Sequence, residues 1–544
     1  MSVSAFHSEL LLLETQEESV RELLRLGAQP HHDAVLLSRL RRLVAWGPED
    51  LLCYRSDIGD ERARRLQTQI DLARGLLYSP IRRLPVELLA RILETCARSH
   101  RDRYTIEDEG DDIELERLRR THLLPLAQVC ALWRTVVFET PSFWSDIIVD
   151  DEYWPESMQP HLDILEVSIQ RSKARPLRII CAANENAAAQ PLARLAQEAH
   201  RWRTVFLCIH EASIPTLLPI RGRLRVLEHL ELSTSTGIRR LPWGDIFAEC
   251  PKLTELVVTG HPANIPEVLP WRQLTRLAIY RNNIHRYIDR LAVLLSDFSG
   301  ALSLNSLITR IGSSAPPPPV PQTSTITALV LLLSFDVEAE AEATEAEKLD
   351  IIANIMGAFV VPELSFFALK PEPEPEARRL PPWNPQAFES LLSRSSIAGS
   401  LRRLTLVALI TGEELLRALE MLPALTVLCV ADPPEWHLLD EGTLEGLCRT
   451  APQLRLTRLH YATHTSVEPS FLRMVEHHAT GDDIFELGLI SLPQSALAIE
   501  ETTRDGLDLL VRQGLVRLET ASCRSDEGDW HVWFGRDRLG VPLL

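Results

Sequence analysis

The side chains with the most chemistry to offer in this chain are its histidines and cysteines. His460 and His464 stand four apart, and His477-His478 follow. Zinc needs three or four converging ligands, and His460 falls in a stretch read as strand, so this spacing assembles no metal site. His31-His32 reads as an exposed turn. The nine cysteines, Cys53 to Cys523, include no C-x-x-C pair, a pattern of buried free thiols in a reducing compartment. Acidic pairs such as Asp482-Asp483 read as caps and loops, not as a general acid/base couple. No Gly-Lys dipeptide occurs, so there is no Walker A loop, and G-x-S-x-G and H-E-x-x-H are absent. A hydrolase hidden among the His, Cys and Asp residues would need a pocket of converging titratable groups. The expectation is a protein that is not an enzyme and takes neither metal nor cofactor.

Bulk properties narrow the partners. A net charge of −18 over 544 residues opposes general DNA or RNA binding and docking on anionic membranes. No apolar run reaches the roughly 20 residues of a membrane span. Leu10–Leu13 is apolar but flanked by acidic residues and preceded by no basic region, unlike a signal peptide. No Asn-x-Ser/Thr acceptor occurs. An intracellular protein, cytoplasmic or nuclear, is expected. Its basic residues are nearly all Arg; the lysines are Lys173, Lys252, Lys348 and Lys370.

Helical periodicity opens the chain. Leu66, Ile70, Ala73 and Leu77 mark one helical face, and Leu36, Leu37 and Leu40 mark an earlier one. Residues 1–78 form a helical segment ended by Ser79-Pro80. Then comes Leu84-Pro85-Val86-Glu87-Leu88-Leu89-Ala90-Arg91-Ile92-Leu93, in which Leu84, Leu88, Ile92 and Leu89, Leu93 make two adjacent apolar rows. One row can pack inward while the other stays available to a partner helix. A charged insert over 98–120 separates this from Val129-Cys130-Ala131-Leu132-Trp133-Arg134. Together, over 79–149, these segments resemble an F-box, the helical module that docks onto the Skp-type adaptor of a cullin–RING ubiquitin ligase. The resemblance implies a three-helix module in which Leu84, Pro85, Glu87, Leu88, Ile92 and Leu93 meet the adaptor. Val129, Cys130 and Trp133 would complete the helix packing and part of the contact. The insert, and Ala131-Leu132 where the family more often has charged residues, depart from the family pattern.

From 160 to 544 the chain repeats L-x-x-L-x-L: Leu227/Leu230/Leu232, Leu253/Leu256/Val258, Leu274/Leu277/Ile279, Ile326/Leu329/Leu331, Leu401/Leu404/Leu406, Leu425/Leu428/Val430, Leu456/Leu459/Tyr461 and Ile484/Leu487/Leu489. Trp202/Val205/Leu207 and Leu364/Phe367/Leu369 are weaker members. Proline often precedes the strand, as in Cys250-Pro251-Lys252-Leu253 and Leu422-Pro423-Ala424-Leu425. The spacing is that of leucine-rich repeats, and stacking is obligatory because no unit buries its leucines alone. The fourth and sixth template positions turn into the core, the third and fifth to the concave face. That face would carry Phe206, Glu231 and His460, with Arg276, Arg403 and Arg458 beside them. Pro- and Glu-rich loop insertions are expected near 312–323, 337–348 and 371–377.

The expected fold class is α/β: an N-terminal helical segment and three-helix F-box, followed by an irregular leucine-rich-repeat solenoid. The resemblance implies a substrate-recognition subunit of an SCF ubiquitin ligase, of a type abundant in fungi. Its partners would be the Skp-type adaptor, the cullin scaffold and a protein client. The same residues also suit a repeat scaffold that binds proteins outside any ligase.

Overall fold

The computed structural model describes residues 21–22, 34–44, 60–78, 81, 84–98, 126–150, 159–183, 189–233, 243–260, 265–266, 268–308, 319–335, 344–371, 380–433, 436–450, 454, 456–464, 467–479, 484–491 and 499–522. Two compact units divide the chain: residues 1–148 with 157–177, and residues 149–156 with 178–544. The charged insert expected over 98–120 lies, beyond Arg98, outside the described residues.

The first unit is helical. Helix α1 (Ala34–Val44) packs on α2 (Asp60–Tyr78), with Leu40, Ile70 and Ala73 fully enclosed. Residues three apart share a helix face, so Ile70 and Ala73 are the buried stripe that the sequence periodicity marks. Helix α3 (Val86–Arg98) starts just after Pro85, whose carbonyl accepts the Leu89 N–H at 3.0 Å. Helix α4 (Ala131–Glu139) follows a further helical stretch over 126–129, and α5 is Gln159–Arg171. Leu89, Leu93, Ala127, Val136, Val137 and Phe143 form the core between these pieces. Trp144 closes it, donating its Nε1–H to the Val137 carbonyl at 2.9 Å and stacking on Phe138. Arg171 then lies over both rings and donates from Nη1 to the Phe138 carbonyl at 3.0 Å, so helix α5, where the sequence suggested the repeats begin, is fastened to this unit.

Among the described residues sixteen strands occur in chain order: β1 (Asp146–Asp150), β2 (Leu177–Ala183), β3 (Trp202–Ile209), β4 (His229–Ser233), β5 (Glu255–Thr259), β6 (Arg276–Tyr280), β7 (Ala301–Ile308), β8 (Gln322–Thr323), β9 (Ala328–Phe335), β10 (Phe359–Val360), β11 (Phe366–Lys370), β12 (Arg403–Leu406), β13 (Val427–Ala431), β14 (Arg458–Thr463), β15 (Phe485–Ser491) and β16 (Val516–Ser522). Strands β2–β7, β9 and β11–β16 stand in one sheet in chain order, and β8 pairs with β10 apart from it. Every pair from β3 onward is parallel. Helices over Glu345–Gly357, Pro385–Ser395, Gly412–Glu420, Glu441–Thr450, Pro469–His478 and Glu501–Arg512 return the chain between strands, each packing on the next.

Register explains the sequence repeat. The pairing aligns Leu230, Leu256, Leu277, Leu302, Leu329, Phe367, Leu404, Leu428, Leu459 and Leu487 in one row across the sheet. The residues two further on form a second row from Leu232 to Leu489. Both rows are fully buried, because alternate residues of a strand share a face. All ten template matches fall at strands. The strands β2, β7 and β16 carry no full template. Ser299 stands where β7 would have its first Leu, and Phe298 fills the core instead. Gly300 follows because a Cβ there would lie 2.4 Å from the Thr275 carbonyl oxygen.

Two loop expectations change. Thr344 and Glu347 form a reciprocal capping box that starts the helix Glu345–Gly357, so the insertion expected over 337–348 ends inside a helix. Gln322–Thr323 is a short strand, so the one expected over 312–323 ends in paired structure. Residues 372–377 of the third lie outside the described set.

Two imidazoles are withdrawn from water, His285 buried and His478 half-buried. Burial first, and then the Arg286 charge, pushes the His285 pKa down to about 4. Burial, then His477, does the same to His478, which stacks on Phe485. An unfolded His takes its proton near 6.5. The stability tied to these neutral rings is therefore complete above pH ~6.5 and is lost as the pH falls toward about 4. Thermal melts from pH 7.5 to 5 should show a falling midpoint, and a His285→Leu/His478→Phe double variant a shallower fall; equal slopes would remove these two rings as the cause.

Candidate functional site

Helix α3 gives its two apolar rows different fates. Leu89 and Leu93 enter the core of the first unit, while Leu88 and Ile92 are 46% and 41% exposed. Pro85, Val86 and Glu87 are also exposed at the start of the helix, and Leu84 is half-buried. At the end of the helical stretch before α4, Val129 is 57% exposed whereas Cys130 is buried. Trp133 is half-buried against the core. Of the residues that the sequence suggests for adaptor contact, Pro85, Glu87, Leu88, Ile92 and Val129 are accessible, and Leu93 and Cys130 hold the module together instead. Val86, half exposed beside Leu88, adds to the accessible set; its apolar side chain one turn before Ala90 was the available signal.

An apolar side chain left in water forgoes about 1.5–3 kcal/mol of burial, so several gathered on one helix face identify a surface made to be covered.

The sheet's second face carries a different row. Pairing aligns Phe206, Glu231, Val257, Ala278, Ser303, Val330, Ala368, Thr405, Cys429, His460 and Gly488. Two residues earlier, a parallel row contains His229, Glu255, Arg276, Phe366, Arg403, Val427, Arg458, Glu486 and Arg517. Phe206, Arg276, Arg403, Arg458 and His460 are thus brought to one face, each half-exposed, as the sequence template requires. Glu231 occupies its expected position on that face but is only 3% exposed, so it is not offered to a partner. Neighbouring side chains on a short-pitched parallel sheet close over a central residue, and periodicity alone does not report this.

Two ion-pair triads sit at equal register. Glu255 lies between His229 Nδ1, 3.0 Å away, and Arg276 Nη1, 3.3 Å away. The hydrogen bond from His229 and the Arg276 charge hold the Glu255 carboxyl below its usual pKa, against the opposing effect of burial. Glu486 likewise lies between Arg458 and Arg517, the latter at 3.1 Å. Arg403 instead stacks its guanidinium over the Phe366 ring, 5.4 Å from the centroid. Gly488 leaves room for His460: a Cβ there would lie 3.0 Å from the imidazole Nδ1.

The paired histidines of the sequence part company. His460 lies on the open face of β14, whereas His464 stacks on His437 with ring centroids 5.3 Å apart. Both Nδ1 atoms of the stacked pair are 3.6 Å from Asp432 Oδ2. Asp432 is buried and accepts hydrogen bonds from Tyr461 at 2.6 Å, Thr463 at 2.7 Å and the Leu438 N–H at 2.9 Å. This node ties the end of β13 to β14 and to the loop after it. Among the described residues no group of three or more His, Cys, Asp or Glu could hold a metal ion. Burial pushes the Cys429 thiol up, so it is no thiolate nucleophile beside His460. Among the described residues no helix is long and apolar enough to cross a membrane.

The division of helix α3 has a measurable consequence. Leu89→Ala or Leu93→Ala should cost about 2–5 kcal/mol in a urea melt of the first unit. Leu88→Ala and Ile92→Ala should stay within about 0.5 kcal/mol of wild type; equal losses at both rows would contradict the burial pattern.

No curated protein shows significant similarity to the chain. A family model described as F-box-like does match, over residues 81–150. The helices α3 and α4, with the helical stretch before α4 and the closing Phe143-Trp144, therefore lie in an F-box-like domain.

Proposed function

We propose that the protein is a substrate-recognition subunit of an SCF-type ubiquitin ligase. Its F-box-like domain would dock the Skp-type adaptor of the cullin scaffold, and its sheet would bind a protein client. The observation that carries this reading is the exposed apolar strip of Pro85, Leu88, Ile92 and Val129 on a domain of the family whose members bind such adaptors. We read the second unit as a leucine-rich-repeat solenoid: parallel strands in chain order, two unbroken rows of buried, mostly aliphatic residues, and returning helices stacked on one another support it. The protein would not be catalytic. It would act by holding the client at high effective concentration beside the conjugating machinery, in the cytoplasm or the nucleus.

Capture of a purified Skp-type adaptor by the full chain tests the reading. Wild type should bind, and a Leu88→Ala/Ile92→Ala/Val129→Ala variant with an unchanged melting curve should bind at least tenfold more weakly, each lost anchor removing about 1 kcal/mol or more. A folded wild type that captures no adaptor would leave a protein-binding repeat scaffold outside the ligase.

A further inference from the structure

The large sheet ends on a strand that lacks its cover. β16 (Val516–Ser522) stands last in the order and, among the described residues, pairs with β15 alone. The Phe485 N–H donates to the Leu515 carbonyl at 2.9 Å. Backbone groups of successive residues point to opposite edges of a strand. Those of Arg517 and Glu519 therefore serve β15, and those of Val516, Leu518 and Thr520 face the outer edge. The apolar cover runs out at the same place. Leu487 and Leu489 are buried, but Leu518 and Thr520, next in the same two rows, are half-buried and exposed. On the returning helix Glu501–Arg512, Gly506 backs onto Leu472 of the helix before it. Val511, about 140° further round at 3.6 residues per turn, is 40% exposed, and Leu515 is 37% exposed. A stack of repeats needs a terminal element over its last face, and an open strand edge is a template for another strand.

The chain supplies such an element directly after β16, among residues outside the described set. Beyond Ser522 come Cys523-Arg524-Ser525-Asp526-Glu527-Gly528-Asp529 and then Trp530-His531-Val532-Trp533-Phe534. Ser, Asp and Gly in the first run favour turns, and the aromatic and β-branched residues of the second favour a strand. The connecting run also decides direction. A parallel neighbour needs a crossover of about a dozen or more residues, whereas a short loop joins antiparallel strands, and residues 523–529 are too few for the former. Register follows as well. Pairing Trp530 with Ser522 puts Val532 opposite Thr520 and Phe534 opposite Leu518. Leu518 and Thr520 carry the outward backbone groups, and they continue the two buried rows. One register thus completes the ladder and lays Trp530, Val532 and Phe534 over the end of the core. A slip of one residue would turn those three to the open face.

We propose that Trp530–Phe534 docks on the outer edge of β16 as an antiparallel strand and closes the end of the second unit. Amide hydrogen exchange of the full chain, read residue by residue by mass spectrometry, tests this, with light scattering on the same samples to give the mass. In the wild-type monomer the amides of Leu518, Thr520 and Val532 should all be protected. Val532→Pro removes the ladder donor opposite Thr520, and Trp530→Ser/Phe534→Ser removes the apolar cover. Each variant should exchange at Leu518 and Thr520 at least tenfold faster, while β9 keeps its wild-type protection. The wild-type measurement decides even where a variant unfolds. A Val532 amide that exchanges freely in the wild type overturns the proposal. So does protection at Leu518 and Thr520 that survives both variants. Protection there that appears only as the mass doubles with concentration also overturns it, since a second copy would then be the strand on this edge.

Discussion

Parallel pairing in constant register is the constraint on which the second unit depends. From β4 to β15 each strand of the sheet contributes two apolar side chains, nearly all aliphatic, to the buried rows, in register with their counterparts on the strands to either side. A slip of one residue in any pair would turn its leucines to the open face and its arginines inward. The penalty for burying an unpaired guanidinium makes such a slip prohibitive. The same constraint determines what the open face can display. Residues at equal register come to lie side by side, so the charges of Glu255 and Glu486 find cations one strand away on each side.

The F-box-like domain obeys a related rule on a smaller scale. A helix of 13 residues, Val86–Arg98, cannot bury two apolar rows in so small a core. Leu89 and Leu93 take the interior, and Leu88 and Ile92 are left outside. Trp144 and Arg171 show how the interior is sealed despite its size. An indole N–H bonded to a helix carbonyl and a guanidinium laid over two rings cover what aliphatic side chains do not reach.

Much of this architecture is legible in the sequence, and for a physical reason. A side chain that must enter a core at fixed register has to be apolar, so Leu230, Leu428 and Leu459 announce their strands. Where the core accepts another solution the signal weakens. Phe298 and Gly300 do the work of a missing leucine before β7, and Ser299 hides it; Leu515, just before β16, and Thr520 within it are exposed, unlike most of their counterparts on earlier strands. Helix α3 was legible as two rows, but which row is enclosed depends on Val136, Val137 and Phe143, which come from elsewhere in the chain. Glu231 and the Asp432 node depend on neighbours across the sheet, some as far as 31 residues away. Pattern reports a residue's face; it does not report what closes over it.

The placement of the Pro- and Glu-rich tracts has a consequence for how such a chain changes over generations. These tracts follow β7, β9 and β11, and the pairing of those strands with their neighbours keeps the same register on both sides of each tract. Residues gained or lost there shift no pair and empty no position in either buried row. Loop closure grows only slowly with length, by about 0.6 kcal/mol per doubling. The length of the chain between these strands can therefore change while the pairing within the sheet stays in register.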